Sequence, residues 1–342
     1  MQNLAFQDQP IADGEQQVTF SATGGEYFRI WIVNLLLTIV TLGIYSAWAK
    51  VRRNQYFYSS TRLAGSSFEY HGNPVAILKG RIIAVILFAA YSYAPQVSLG
   101  WGAVAVLAAL AIGPLMMWKS LQFRMYNTSY RGIRFGFNGS VGEAYAHFLL
   151  LPMLFGTGIL APLGHHRIKR FQVTESRYGS RQFRFDAPVS RFYAIWIGVA
   201  VVGVLGFAGL SALTFAGATA MSPEAVTFLP LLLMLFILAL GPLAFCLIQN
   251  LVWNHISIGD HEFRCDMPFG RLLWIHFSNL ALIIVTLGLA TPFAQVRWMK
   301  FRLESLTMVV NGALDDFVAA EVEHQGAAGE GVADVFDFDI AL

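Results

Sequence analysis

The sequence predicts a membrane α-helical protein with internal repeats: two transmembrane helical hairpins, three re-entrant segments and a cytoplasmic layer of β-hairpins. Three observations predict it. Hydrophobic residues make up 56% of the 342 positions and charged residues only 13%, where soluble domains carry roughly 25% charged residues. Long uncharged stretches recur at the length of a bilayer crossing, about 20 residues. Between them lie short segments in which polar and apolar residues alternate across a glycine, the pattern of a β-hairpin.

Charge is unevenly spread. Residues 1–24 hold Asp8, Asp13 and Glu15 with no Lys or Arg, and residues 312–342 hold eight acids with none, so all 23 basic residues lie in between, against ten acids. Such an excess suits the anionic surface of a cytoplasmic membrane. Residues 1–24 lack the basic region joined to an apolar core that marks a cleavable signal, and residues 18–20 offer an edge strand. Cys246 and Cys265 sit in different settings and suggest no disulfide framework.

Residues 25–141 form a first repeat, 142–268 a second on the same plan, 269–314 a partial third, and 315–342 an acidic tail read as mostly disordered. Each repeat opens on an apolar stretch with a turn in it: 27–49 around Gly43, 144–164 around Gly158, and 272–294 around Gly288. Basic clusters flank the middle stretch on both sides, against the positive-inside bias if it spans. A segment that dips in and returns removes the conflict, giving four crossings where the alternative gives seven.

The first two stretches are each followed by a spanning hairpin. Residues 82–118 are uncharged, starting from a helix near Pro74, and 192–213 and 225–250 flank a short loop. Lys79, Arg81, Lys119, Arg124, Arg184 and Arg191 lie at the ends away from the tips, which places the tips in the periplasm and both termini in the cytoplasm. Hairpin patterns at 58–70, 126–137, 171–185, 253–265 and 306–317 all fall on one face, so they are expected to pair into a sheet or small barrel.

The repeat is explicit in the residues. Shifted by 245 positions, residues 25–53 fall on 270–298 with 13 identities, among them Asn34 on Asn279, Thr41-Leu-Gly43 on Thr286-Leu-Gly288, and Arg52 on Arg297. A shift of 115 places Gly158, His165 and Arg167 under Gly43, Lys50 and Arg52. The runs from Thr41 to Arg52 and from Thr286 to Arg297, with the closing Phe336-Asp-Phe-Asp-Ile340, resemble the YjgN-type family of bacterial inner-membrane proteins, which carries a domain of unknown function. The resemblance covers nearly the whole chain. It implies a multi-pass protein of the inner membrane and supplies no catalytic residue, cofactor or substrate. Ala47 stands where the other copies have Pro162 and Pro292, so proline is not essential to the turn.

Polar groups at membrane depth are costly and mark candidate sites. Asn34, Asn279, Glu143, His147 and His276 are the candidates for a proton or ion path; against this stands a packing role, with the two Asn bridging repeats and Glu143 and His147 in an interfacial first turn. Arg52, Arg167 and Arg297, each where an apolar stretch returns to the interface, are candidates for binding anionic headgroups or a solute carboxylate or phosphate. Gly43, Gly158 and Gly288 are the turn residues. No nucleophile elbow, phosphate loop or metal-ligand spacing is present, so neither an enzyme, a cofactor nor a metal is expected. The expected partners are the bilayer, with its anionic headgroups, and a protein for the strand-like end 335–340, which alternatively joins the sheet; no nucleic-acid partner is expected. Two function classes follow: a small-solute or ion transporter or channel, or a non-transporting module whose hairpin layer binds anionic lipid or a protein.

Overall fold

The computed structural model describes residues 14–155, 158–220, 223–312 and 318. Strands β1 (Gly14–Gln17) and β2 (Thr19–Phe20) lead to helices α1 (Gly24–Val40) and α2 (Ser46–Ser59). Hairpin β3 (Thr61–Leu63) and β4 (Ser66–Tyr70) leads to α3 (Pro74–Val97) and α4 (Leu99–Tyr126). Hairpin β5 (Thr128–Tyr130) and β6 (Ile133–Phe137) leads to α5 (Val141–Tyr145), a π-helical turn (Ala146–Leu150), α6 (Leu151–Phe155) and α7 (Ala161–Thr174). Hairpin β7 (Ser176–Tyr178) and β8 (Arg181–Phe185) leads to α8 (Val189–Ala220) and α9 (Pro223–Trp253). Hairpin β9 (Ile256–Ile258) and β10 (His261–Cys265) leads to α10 (Phe269–Val285), α11 (Thr291–Glu304) and the last strand, β11 (Leu306–Val310).

Every described strand belongs to one antiparallel sheet of eleven strands, ordered β1-β11-β10-β9-β8-β7-β6-β5-β4-β3-β2. Residues 14–20 hold both of its ends: Gly14–Gln17 pair with β11, and Thr19 and Phe20 pair with Arg62 and Thr61 of β3. Between them, the Val18 amide donates to the Leu306 carbonyl at 2.9 Å. The stretch expected as an edge strand therefore brings the two margins together into a near-barrel. Pairing removes the exposed edges that would otherwise recruit another chain.

Turn chemistry explains the hairpins. Ala64-Gly65 and Arg131-Gly132 have positive φ at both positions, as a type I′ turn requires, whereas at the two later turns Gly179 and Gly259 carry the positive φ. Of the expected hairpin at 306–317, β11 is present but pairs with β1 and β10; residues 313–317 lie outside the described residues. So do residues 335–340, for which a strand was expected.

Among the described residues four helices are long and apolar enough to cross a membrane: 74–97, 99–126, 189–213 and 228–253. Within them α3 packs against α4, and α8 against α9. The three remaining excursions, α1/α2, α5–α7 and α10/α11, also leave the sheet and return to it. In α1/α2, Thr41 Oγ1 donates to the Leu37 carbonyl at 2.8 Å and accepts from the Tyr45 amide at 2.9 Å, while Gly43 N–H bonds the Thr38 carbonyl at 2.8 Å. In α10/α11 the same bonds run from Thr286 to Leu282 at 2.7 Å, from Ala290 to Thr286 at 3.0 Å, and from Gly288 to Ile283 at 2.8 Å. Positive φ at Leu42, Gly43, Leu287 and Gly288 completes both turns, and Gly158 (φ 81°) does so in the middle copy. These glycines are needed because a side chain in left-handed backbone is strained.

The middle excursion differs in its first arm. Pro152 has no N–H to donate and its ring crowds the preceding turn; the π-helical turn at Ala146–Leu150, immediately before α6, absorbs the mismatch.

Candidate functional site

Three cavities follow one another between the helices and the barrel. The first, about 410 Å³, lies among α1, α2, α3 and α11 and is lined by Asn34, Thr38, Ser46, Lys50, Arg53 and Arg81, with Gln295 opposite. The second, about 600 Å³, shares Arg53 and Gln295 with the first and adds Arg124, Arg302, Tyr58 and Trp298. The third, about 170 Å³, is the barrel lumen, and shares Phe68, Phe135 and Trp253 with the second.

The first two are cationic. Lys50, Arg53, Arg81, Arg124 and Arg302 all line them, and among the described residues no Asp or Glu does. Arg81 donates to Ser46 Oγ, which holds it at the mouth of the turn. Lys169 on α7 adds to the field: burial, and after it the charges of Arg302 and Arg124, holds its ammonium below the usual lysine range. Burial likewise pulls Arg302 below the ordinary arginine value, with Arg124 acting in the same direction. Cations that repel one another in a partly desolvated space favour an anion among them. Arginine forks suit a carboxylate or phosphate in particular.

Asn34 is 6% exposed, and its Oδ1 has no hydrogen-bond partner among the described residues. Its counterpart Asn279 is fully engaged: Nδ2 donates to the Ala294 carbonyl at 3.2 Å, and Oδ1 accepts from Arg297 at 2.9 Å. Arg297 also donates to Ser278 Oγ at 3.1 Å. In the first copy Arg52 instead donates to the Tyr45 hydroxyl at 3.2 Å and is exposed. Two differences account for this: Val33 stands where Ser278 offers an acceptor, and Tyr45 stands where the third copy has Ala290. The arginine that fills the third copy is thus drawn outward in the first, and a cavity occupies the space beside Asn34.

The remaining sequence-read candidates are placed elsewhere. Glu143 caps α5 with Ser140, accepting from its amide at 2.8 Å. His147 donates to the Glu143 carbonyl at 2.7 Å and stacks on Phe171 at 4.6 Å. His276 packs edge-on against Phe277, and Arg167 is exposed on α7. Neither Glu143, His147 nor His276 lines the three cavities. Cys246 and Cys265 are free and buried, and burial pushes the Cys265 thiol up to about 12, so it remains protonated.

None of the cavity cations is a site candidate in the sequence, because the repeat highlights Arg52 and its equivalents; Arg81 and Arg124 stand out only as topology-setting charges at helix ends. A signal did exist: Arg53 falls on Trp298 under the 245-residue shift, and both line the 600 Å³ cavity. The lumen was missed as well. Phe68, Phe135, Phe183 and Phe263 take the same place in β4, β6, β8 and β10, and their rings stand 6.4–6.5 Å apart around the barrel wall. The recurring phenylalanine three or four residues after each turn glycine is the pattern that marks it.

The curated relatives of the chain are inner-membrane proteins. The chain is 34% identical over 138 residues to the inner membrane protein YjgN of Salmonella typhimurium, and 34% identical over 150 residues to that of Escherichia coli K12. The O157:H7 protein of Escherichia coli is 32% identical over 141 residues. These matches cover 40–41% of this chain and 35% of each relative, so the aligned part spans about a third of the relatives' length. No solved structure matches. The family described as a bacterial protein of unknown function, DUF898, matches residues 15–335, and the chain belongs to it.

Proposed function

We propose that this protein is an inner-membrane anion carrier, whose binding site is the pair of cationic cavities between the helices and the barrel. The observation that carries the reading is the convergence of Lys50, Arg53, Arg81, Arg124 and Arg302 on adjoining cavities with no Asp or Glu among the described lining residues. A packed anchor has no use for such a space. Repeats with broken apolar segments beside polar residues are also how many carriers build a site near the membrane midplane.

The topology proposed with it is four crossings and three re-entrant pairs, with the barrel in the cytoplasm. A single sheet lies on one side of a bilayer, so each excursion that leaves it and returns begins and ends on that side. The return helices α2 and α11 have 14 residues each, about 21 Å at 1.5 Å per residue, short of the roughly 30 Å hydrocarbon core. Leu42 and Leu287, at the tips, are 95% and 92% exposed, which suits lipid contact. The excess of Lys and Arg around the barrel sets its side by the positive-inside bias.

Flux in proteoliposomes tests the carrier reading, with phosphate, carboxylate and cation panels and the Arg53→Gln variant, since Arg53 borders both cavities. Uptake of an anion that falls at least tenfold in Arg53→Gln is the expected result. Equal flux of all solutes through both proteins excludes it. For topology, a membrane-impermeant maleimide should label Gln96→Cys in intact cells and Ser180→Cys only after permeabilisation.

A further inference from the structure

Resting on that reading, we infer that the ligand is an amphipathic anion: a phosphate or carboxylate head held by Arg53, Arg124 and Arg302, with an apolar tail directed into the barrel lumen.

The inference comes from how polarity changes along the three cavities. The first is polar and cationic, the second has arginines on one part of its wall and Phe68, Phe135 and Trp253 on another, and the third is aromatic and aliphatic. The lumen contains two tyrosine hydroxyls, yet both donate to backbone carbonyls: Tyr130 to Leu63 at 2.7 Å and Tyr178 to Tyr130 at 3.0 Å. A wholly hydrophilic anion gains nothing from that surface. The second cavity, at about 600 Å³, is within the range of a small-molecule site, and such sites combine apolar lining with a few placed polar groups. Guanidinium groups beside an aromatic wall match a molecule charged at one end only. Residues sharing both neighbours fix the order: Arg53 joins the first cavity to the second, and the phenylalanines join the second to the third.

A lipid from the surrounding leaflet and a water-soluble alkyl phosphate or carboxylate offer the same chemistry. Binding is measured on the full chain in phosphatidylcholine nanodiscs through the emission of Trp253 and Trp298, using inorganic phosphate, butyl, hexyl and octyl phosphate, 1-octanol and lysophosphatidic acid. The Arg53→Gln protein serves as the reference that subtracts partition into lipid. Affinity should rise with alkyl length by up to about fourfold per methylene, the ratio equivalent to about 0.8 kcal/mol, and octyl phosphate should bind at least tenfold more tightly in the wild type than in Arg124→Gln/Arg302→Gln. Lysophosphatidic acid binding above octyl phosphate assigns the source to the membrane, and the reverse order assigns it to solution; either upholds the inference. Inorganic phosphate binding as well as octyl phosphate overturns the tail while leaving the anion site standing. Octanol matching octyl phosphate, or no probe binding at all, overturns the anion site too.

Discussion

The α1/α2 and α10/α11 pairs share lengths of 17 and 14 residues and the same hydrogen-bonded turn, yet their interiors are wired differently. In the third copy the arginine reaches inward, satisfies Asn279 and fills the space. In the first it is held outside by Tyr45, leaving Asn34 beside a cavity. Backbone likeness is therefore kept by the Thr-Leu-Gly turn, while the interiors diverge through what surrounds one arginine. On the proposed reading, a duplicated unit gains a binding site by losing an internal partner.

The largest expected effect separates the two asparagines. Asn279→Leu removes the acceptor of a charged donor, and a lost bond of that kind costs about 1.5–3 kcal/mol. Asn34→Leu removes an acceptor that already lacks a partner, so thermal unfolding should be unchanged or slightly raised while anion binding changes. Melting curves of both variants check it; equal losses would mean that the two copies are not wired differently.

The likeness of the turns is tested by Gly43→Ala and Gly288→Ala. At φ 94° and 91° a Cβ meets no neighbour, so the cost is backbone strain alone, about 1–2 kcal/mol. Similar falls in melting temperature are expected for both, and a large difference between them would show that the turns carry unequal load.

The wiring itself is reversed by Val33→Ser/Tyr45→Ala, which gives the first copy the third copy's two residues. Arg52 should then turn in toward Asn34, and anion affinity should fall about tenfold, equivalent to about 1.4 kcal/mol, without loss of stability. Unchanged affinity would show that Asn34 is not part of the site.

The legible parts of the molecule were those set by local pattern. Long uncharged runs, turn glycines and the 245-residue repeat depend on residues close in sequence, and α3, α4, α8, α9 and the four described hairpins follow from them. Closure of the barrel was not legible, because Gly14-Glu-Gln-Gln17 is polar throughout and finds its place only by pairing with a strand some 290 residues away. The cationic cavities were hidden for a different reason. Adjacent positions on a helix point about 100° apart, so in Val51-Arg52-Arg53 the repeated arginine faces out and the unrepeated one faces in. Repetition marks what holds the fold, while the candidate site is lined by residues that are not repeated.

The middle copy extends the comparison with the smallest effect. His165 stands where the first copy has Lys50, packs edge-on against Phe192 and Trp196, and is lowered to a pKa of about 4 by burial and then by the charge of Lys169. Unfolded, it takes up a proton near its ordinary value of about 6.5. Because the folded state binds that proton less readily, its share of stability is intact above pH 6.5, declines as pH falls from there, and is fully lost below pH 4. His165→Phe keeps an aromatic ring at that position and removes the titration, so its melting temperature should fall less than the wild type's between pH 6.5 and 4. Parallel curves for the two proteins would show that the middle copy does not repel a proton at the place where the first copy has Lys50.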